Sequence, residues 1–494
     1  MDVLFDAFLE IFRLTNFIAM IAGVIGGIAI GALPGLSATM AISVLIPLTF
    51  FMEPLAALGM IAGIYNGAMY GGSIPAVLLR IPGTPAAVAT TFDGYPMAQK
   101  GQAGWALQIA CVSSAVGGMA SAIALMTIAP PLSYITLAFG PAEVFWVAVF
   151  GLTAIVFLVG EQPVKGLISA LFGVVVSLVG TDVITGVDRY TFGRLELLDG
   201  LNVVVMLVGL YAIPPMIGLL LDGPGNEAAT RVRIERGGLL TRWRDLAAFW
   251  LVWLRASVIG IFVGILPGAG GSMAAFLSYN EVRRTSRDPD AFGRGEPAGV
   301  AAAECGNNAD NAAALIPALT LGIPGSSVTA VILGALLVHG LQPGPELFRS
   351  HPTVVYGFMI QMFVSSLLLV FLGGAIATRT FARLLEIPRP VLAPIILGMT
   401  VVGTFAINGS MFDVALMFGF GFIGYVMERQ QIPLAPAVLG LILGEYAERN
   451  FRLSMMIGGN DPAALVASPI SMGFVAAIAL AVGLPLVRRL RKAL

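Results

Sequence analysis

Ile74-Pro75-Ala76-Val77-Leu78-Leu79-Arg80-Ile81-Pro82-Gly83 is written a second time, at Ile316-Pro317-Ala318-Leu319-Thr320-Leu321-Gly322-Ile323-Pro324-Gly325, with seven of ten positions identical. Both copies sit in apolar sequence, yet each carries two prolines seven residues apart, the second followed directly by glycine. A helix does not pass undisturbed through Pro-Gly, because proline removes a donor and crowds the preceding turn while glycine is entropically costly to order. Both copies read as deliberate interruptions of membrane helices.

Composition frames that reading. Of 494 residues 57% are hydrophobic and 11% charged, with a mean hydropathy of +0.91; a soluble domain carries about 25% charged residues. The chain reads as an all-α polytopic membrane protein. Apolar windows recur from Phe17 to Val487, each long enough to cross a hydrocarbon core of about 30 Å, and they predict about twelve crossings. A net charge of -1 offers no basic face to nucleic acid. Cys111 and Cys305 lie in or beside apolar segments and read as small buried hydrophobes, not as a disulfide framework.

In chain order, residues 1–16 place Leu4, Phe5, Phe8, Leu9 and Phe12 at helical spacing opposite Asp2, Asp6 and Glu10, which suits a short interfacial helix. No basic n-region or small-residue cleavage site marks a signal peptide, so no processing is expected. Residues 17–221 form a first transmembrane repeat, in which Thr91 to Gln102 reads as a polar loop holding Asp93 and Lys100. Residues 222–247 are a linker, and residues 248–456 begin the sequence again. Gly264-Ile265-Leu266-Pro267-Gly268 matches Gly31-Ala32-Leu33-Pro34-Gly35, and Asn307-Asn308 occupies the place of Tyr65-Asn66. Residues 457–494 add an extra span, from about Ala467 to Val487, and a basic tail. Repeats of this kind fix architecture before any single helix is assigned.

Charge predicts how the copies face. Arginines cluster at Arg231, Arg233, Arg236, Arg242 and Arg244, at Arg283, Arg284, Arg287 and Arg294, at Arg379, Arg383 and Arg389, and at Arg488, Arg489 and Arg491. These mark cytoplasmic loops. The matching first-copy places, Leu48 to Leu55 and Ile128 to Pro141, hold no lysine or arginine. Matching loops are therefore expected on opposite sides, as in the inverted-topology repeats of secondary transporters, whose site forms near mid-membrane between the copies.

Irregular backbone survives inside a bilayer only where protein or a water-filled cavity satisfies it. The four breaks, Pro34-Gly35, Pro82-Gly83, Pro267-Gly268 and Pro324-Gly325, are accompanied by Ser37, Thr39, Gly72, Ser73 and Thr84 in the first copy and by Gly270, Ser272, Asn307, Asn308 and Ser326 in the second. Freed amides at a half-helix N-terminus attract a carboxylate by about 0.3 to 1 kcal/mol per end, and freed carbonyls and hydroxyls suit Na+. These residues, with Asn66 and Arg80, are the candidate substrate and ion ligands. Glycine and serine also serve close packing of membrane helices, the asparagines also cap or cross-link helices, and Arg80 also suits snorkelling to an interface. His339 and His351 are too few and too isolated for a metal site or a proton relay.

At these residues the sequence resembles the TctA family, the large membrane subunit of tripartite tricarboxylate transporters. The resemblance covers nearly the whole chain. It is carried by Gly31-Ala32-Leu33-Pro34-Gly35, Tyr70-Gly71-Gly72-Ser73-Ile74-Pro75, Ile81-Pro82-Gly83-Thr84-Pro85 and Asp93-Gly94-Tyr95-Pro96. In the second copy it is carried by Leu266-Pro267-Gly268-Ala269-Gly270, Glu304 with Asn307-Asn308, Leu321-Gly322-Ile323-Pro324-Gly325-Ser326 and His339-Gly340-Leu341-Gln342-Pro343-Gly344-Pro345. It implies a multi-pass permease of the bacterial inner membrane that imports citrate or related carboxylates by symport, with Na+ or H+ as coupling ion and no cofactor. It also implies a small transmembrane subunit and a periplasmic solute-binding protein as partners. Two residues depart from the family pattern: Arg80 stands where a smaller or amide residue is expected, and Asp310 falls in a stretch usually without an acid.

The residues themselves are compatible with a carrier moving substrate by alternating access. No phosphate-binding glycine loop followed by Lys-Ser or Lys-Thr is present for ATP, and the apolar spans lack the paired aspartates, zinc motif or serine with histidine of an intramembrane enzyme. A passive anion channel is the main alternative, since broken helices also build pores.

Overall fold

The structure is a computed structural model and describes residues 2–33, 36–158, 163–182, 184–221, 243–268, 270–377 and 389–493. Pro34, Gly35, Ala269, most of the 222–247 linker and the arginines at 379 and 383 lie outside the described residues.

Among the described residues the chain is helical apart from one two-stranded ribbon. The helices are α1 (Asp2–Ile11), α2 (Leu14–Gly31), α3 (Ala38–Thr49), α4 (Pro54–Gly71), α5 (Ser73–Leu79), α6 (Val88–Gln99), α7 (Ala103–Thr136), α8 (Pro141–Leu158) and α9 (Pro163–Ser177). Strands β1 (Gly180–Thr181) and β2 (Asp188–Arg189) follow, then α10 (Val203–Leu221), α11 (Trp243–Ala247), α12 (Trp250–Ile265), α13 (Gly270–Thr285), α14 (Pro297–Ala313), α15 (Leu315–Leu321) and α16 (Ser327–Val338). The remainder is α17 (Pro345–Ser350), α18 (Pro352–Phe371), a π-helical turn (Leu372–Ala377), α19 (Arg389–Asn408), α20 (Met411–Arg429), α21 (Ala435–Ile457) and α22 (Pro469–Ala493). The series α2 to α6 has its counterpart in α12 to α16. Four described helices are long and apolar enough to cross a membrane, and eight more apolar helices are shorter. The short ones arise because the breaks divide apolar sequence into pieces of 12 to 16 residues at α3, α12 and α16.

Residues 91–102 correct one expectation. Thr91 to Gln99 is the body of α6 and not a polar loop. Its polarity misleads because Asp93, fully buried, finds its partners in the second half of the chain. The first membrane helix also starts earlier, at Leu14, after an α1 whose Val3, Leu4, Phe5, Phe8 and Leu9 are exposed, as is Phe12 just beyond it.

Glycine spacing sets the closest helix pair. Gly23, Gly27 and Gly31 on α2 face the backbone of Met60, Ile64 and Ala68 on α4, while Gly63, Gly67 and Gly71 on α4 face Met20, Val24 and Ile28 on α2. A methyl at any of these positions would run into main-chain atoms. Small residues four apart let two backbones meet where lipid supplies no hydrophobic drive. At a larger scale α9 packs on α21 and α10 on α20, so helices from early and late sequence share one core.

Both Ile-Pro-Gly sites interrupt their helices. Helix α4 bends at Gly72 into α5, which stops at Arg80 with φ 61°; α14 runs into α15, which stops at Gly322 with φ 72°. The amide of Ile81 donates to Pro75 O and that of Ile323 to Pro317 O, each at 3.3 Å, so the same left-handed helix end closes both copies. Glycine adopts that conformation freely, whereas arginine carries about 1–2 kcal/mol of strain in it. Each loop then docks on a preceding helix. Gly83 N–H donates to Gly72 O at 3.1 Å and Gly268 N–H to Gly325 O at 2.7 Å. A Cβ on Gly83 would strike Gly31 O, and one on Gly325 would lie 2.9 Å from Gly264 O.

The ribbon between α9 and α10 is pinned by charge. Asp182 accepts from Ile184 N at 2.9 Å, Thr185 Oγ1 at 2.6 Å and Arg452 at 2.7 Å, and Arg189 pairs with Glu448 at 2.7 Å. The Thr185 hydroxyl, with Arg452 and the Ile184 amide, holds the Asp182 carboxyl well below the usual carboxylate range.

Two predictions follow the local geometry. Arg80→Gly should melt no lower than wild type, while Gly322→Arg should lose about 1–2 kcal/mol or more, read as the unfolding midpoint in detergent. Because the Asp182 carboxyl is depressed, its contribution is complete above the ordinary value of about 3.9 and fades only as pH falls through the lower folded value. Hydrogen-exchange protection, taken relative to the intrinsic rate at each pH, should therefore be alike at about pH 7 and pH 4.5 in residues 180–182 and 184–189, and Asp182→Asn should lower it at both.

Candidate substrate and ion site

The predicted residues separate into two groups. Asn66, Ser73, Asn307 and Asn308 are fully buried, Thr39, Gly72, Gly83, Thr84, Pro324 and Gly325 are buried, and Ser37, Pro82, Pro267, Gly268, Gly270, Ser272 and Ser326 are half-buried. Arg80 is exposed at the end of α5, its guanidinium 5.9 Å from the centre of the Tyr95 ring. Pro34 and Gly35 lie outside the described residues.

Several hydroxyls are spent on the helix ends beside the breaks. Ser37 accepts from Met40 N at 3.1 Å at the start of α3, and Ser326 forms a capping box with Thr329 at the start of α16. Ser73 donates to Tyr70 O at 2.7 Å across the α4–α5 bend. Gly72 must lack a side chain because a Cβ there would lie 2.5 Å from Thr84 Oγ1 and 2.8 Å from Thr84 N. The break loop thus folds back onto the bend itself.

The buried amides and acids form a polar seam where α4 and α14 meet. Asn66 Nδ2 donates to Met362 O at 3.1 Å, Ser365 Oγ at 2.8 Å and Ser366 Oγ at 3.0 Å on α18. Its Oδ1 accepts from Asn311 Nδ2 at 3.0 Å, and Asn311 Nδ2 also reaches Asn308 Oδ1 at 3.3 Å. Asn308 Nδ2 donates to Glu304 O at 3.2 Å. Glu304 then accepts from Thr90 on α6 at 2.5 Å and from Ser114 on α7 at 2.9 Å. One connected line of side chains therefore joins α18, α4, α14, α6 and α7.

Beside that line stand buried polar atoms without partners. They include both side-chain atoms of Asn307, both carboxyl oxygens of Asp310, Asn311 Oδ1, Tyr65 OH and Thr84 Oγ1. Buried polar atoms are normally paired, and each orphan costs about 1–3 kcal/mol. Such a group held in a dry seam is a ready set of contacts for a small polar ligand: amide donors for a carboxylate, oxygens for a cation. Thr90, Ser114, Asn311, Ser365 and Ser366 were not among the expected ligands. The signal for Asn311 is present in the sequence, since Glu304, Asn307, Asn308 and Asn311 stand at i, i+3, i+4 and i+7, a polar stripe on an otherwise small and apolar helix.

Asp93 explains a second cluster of small and polar residues, Asp93-Gly94-Tyr95-Pro96. Its Oδ1 accepts from the amides of Gly293, Gly295 and Glu296, each at 2.8 Å, and its Oδ2 from Tyr279 OH at 2.8 Å. A Cβ on Gly94 would lie 2.8 Å from Val77 Cγ2, so glycine lets α6 lie close on α5. Asp93→Ala should leave the amides of Gly293, Gly295 and Glu296 without their acceptor, and their hydrogen exchange should rise roughly tenfold while that of α2 stays unchanged.

A model of the tripartite tricarboxylate transporter TctA family matches residues 17–439. The chain belongs to the TctA family. As a TctA protein it is a multi-pass membrane subunit of a tricarboxylate transporter, in a system whose tripartite make-up implies a small membrane subunit and a periplasmic binding protein. Two curated relatives come from Agrobacterium vitis. An uncharacterised 52.8 kDa protein of the TAR-I ttuC' 3' region is 36% identical over 472 residues, covering 95% of this chain and 92% of its own. An uncharacterised protein of the TAR-II ttuC' 3' region is 37% identical over 212 residues, covering 43% of this chain and 87% of its own. No solved structure gives a significant match.

Proposed function

We propose that this TctA protein imports small organic carboxylates, tricarboxylates or their relatives, across the bacterial inner membrane by alternating access. A periplasmic binding protein delivers the substrate, and a Na+ or H+ gradient supplies the energy. The observation that carries the proposal is the buried seam of Asn66, Asn307, Asn308, Asp310 and Asn311, whose unpartnered amide and carboxyl atoms lie in the same helices that lead into the Pro-Gly breaks. A ligand there meets neutral donors in a dry setting, which favours reversible holding over the tight grip of a fixed cation.

The alternating part rests on two inverted halves, residues 17–221 and 248–456. A contact between opposite ends of matching helices supports it. Leu443-Gly444-Glu445-Tyr446-Ala447 resembles Val208-Gly209-Leu210-Tyr211-Ala212, which pairs α21 with α10 and α20 with α9; α9 begins beside the end of α20, where Lys165 Nζ donates to Gln430 O at 2.6 Å. Matching elements running the same way would bring like ends together. By the charge rule the Arg283 to Arg294 side is cytoplasmic, and the two breaks then open toward opposite faces.

The test is uptake of radiolabelled citrate and of a dicarboxylate by cells expressing the chain with its two partners, under an imposed Na+ or pH gradient. Saturable, gradient-dependent uptake is expected. Replacing Pro82-Gly83 or Pro324-Gly325 with alanines should abolish it while membrane insertion persists. Non-saturating flux with ohmic current would replace the carrier by a channel.

A further inference from the structure

The two copies finish their first break differently. In the first copy Ser37 accepts from Met40 N at 3.1 Å and caps the start of α3. Its counterpart in the second copy is Gly270, which has no side chain to accept from Met273. Gly270 stands at φ 66° in open space, with nothing within 4 Å of where a Cβ would be. Among the described residues nothing accepts from the amides of Gly270, Gly271 and Ser272, and the Ser272 hydroxyl has no partner. Helix α13 is 16 residues long and carries Arg283 and Arg284 in its last turn, so its charged end is remote from its bare start.

A buried side chain is aimed into that start. Asn307 on α14 is fully buried, and neither of its polar atoms closes a hydrogen bond. A Cβ on Gly271 would lie 2.7 Å from Asn307 Oδ1 and 2.9 Å from Cε of Met69, which stands on α4 just before the bend at Gly72. The first-copy counterpart of Gly271 is Ala38; glycine here leaves the room that the asparagine takes. The place therefore lies between the copies, with α13 and α14 of the second on one side and α4 of the first on the other. Helix α13 also packs on the turn Pro85–Ala87 that follows the first copy's Pro82-Gly83. Of the two acids on α14, Asp310 directs Oδ1 to Gly264 on α12, and Glu304 accepts from Thr90 and Ser114. Asn307 Nδ2 lies on the Glu304 side without closing a bond there.

We propose that the uncapped start of α13, with Asn307 beside it, receives one carboxylate of the transported acid, and that the capped start of α3 does not. This rests on the carrier reading above and narrows it from two equivalent breaks to one. A carboxylate seated there accepts from the free amides of Gly271 and Ser272 and from the Ser272 hydroxyl, in the positive field at the start of a long helix. Asn307 completes the set when its amide turns about its last bond and presents Nδ2 in place of Oδ1. Every donor is neutral, so the anion is held by oriented dipoles and leaves when the helix start moves away from α14. In the first copy Ser37 already holds the Met40 amide, and an anion would first have to displace that cap.

The test is hydrogen exchange together with equilibrium binding on the full-length chain in lipid nanodiscs, with citrate and succinate as probes. At saturation, citrate or succinate should slow exchange at residues 270–272 roughly tenfold and leave the counterpart residues 37–39 unchanged. Asn307→Asp, which keeps the size and replaces the donor with an anion, should raise the Kd of the bound acid roughly tenfold or more. Asn307→Ala gives the same direction should the acidic variant fail to fold, and Asp182→Asn, which loosens only the ribbon, should bind as wild type does. Equal protection of both segments, protection of 37–39 alone, or no binding of either acid would overturn the site. So would a Kd unchanged in both Asn307 variants, or raised as much in Asp182→Asn. The carrier reading is judged apart, by gradient-dependent uptake in the full system: uptake beside any of these failures removes the α13 site alone, and protection at 270–272 without uptake removes the carrier alone.

Discussion

A main-chain amide carried into an apolar layer has to find an acceptor inside the protein, and this fold is arranged around meeting that demand at its interruptions. The turn that ends α5 returns the Ile81 amide to Pro75 O, and the loop beyond returns the Gly83 amide to Gly72 O. The second copy repeats the first of these bonds at Ile323 and Pro317 and closes its loop with Gly268 on Gly325. Both arrangements need backbones in contact, so the glycines at Gly31, Gly72, Gly83, Gly264 and Gly325 are consequences of the hydrogen bonding. Proline stops the helix; glycine lets the stopped chain find its partner.

The polar seam follows from the same constraint. Once α4 and α14 bring amides and carboxyls into a dry interior, side chains must satisfy one another, and Asn66 does so across three helices. The satisfied part is a scaffold. The unsatisfied part, at Asn307, Asp310 and Tyr65, lies on α4 and α14, the helices that lead into the breaks. The division locates chemistry without any fixed cation, in keeping with Arg80 standing exposed at the end of α5.

Much of this was legible in the sequence. Pro-Gly in apolar surroundings foretold broken helices, and the repeated decapeptide foretold the parallel series α2 to α6 and α12 to α16. What was not legible depended on partners distant in sequence. Asp93 looked like a loop residue because its four donors lie about 200 residues away, which turned a buried helix into an apparent polar connection. Ser326 and Ser37 looked like ligands because a cap and a binding hydroxyl are the same residue type in one dimension. Asn311 was missed although its stripe was visible, because attention to the breaks outweighed helical spacing just before them.

The pairing of α9 with α21 and of α10 with α20 has a bearing on biogenesis. Helices α9 and α10 complete their burial only when helices made roughly 200 to 270 residues later arrive. An early segment in the bilayer would therefore wait with its small-residue faces, such as Gly173 opposite Ala437 and Gly440 opposite Ala170, still turned to lipid. The α2–α4 pair closes within early sequence, but α9 and α10 finish packing only after α20 and α21 are made, so assembly of that part of the fold has to come late.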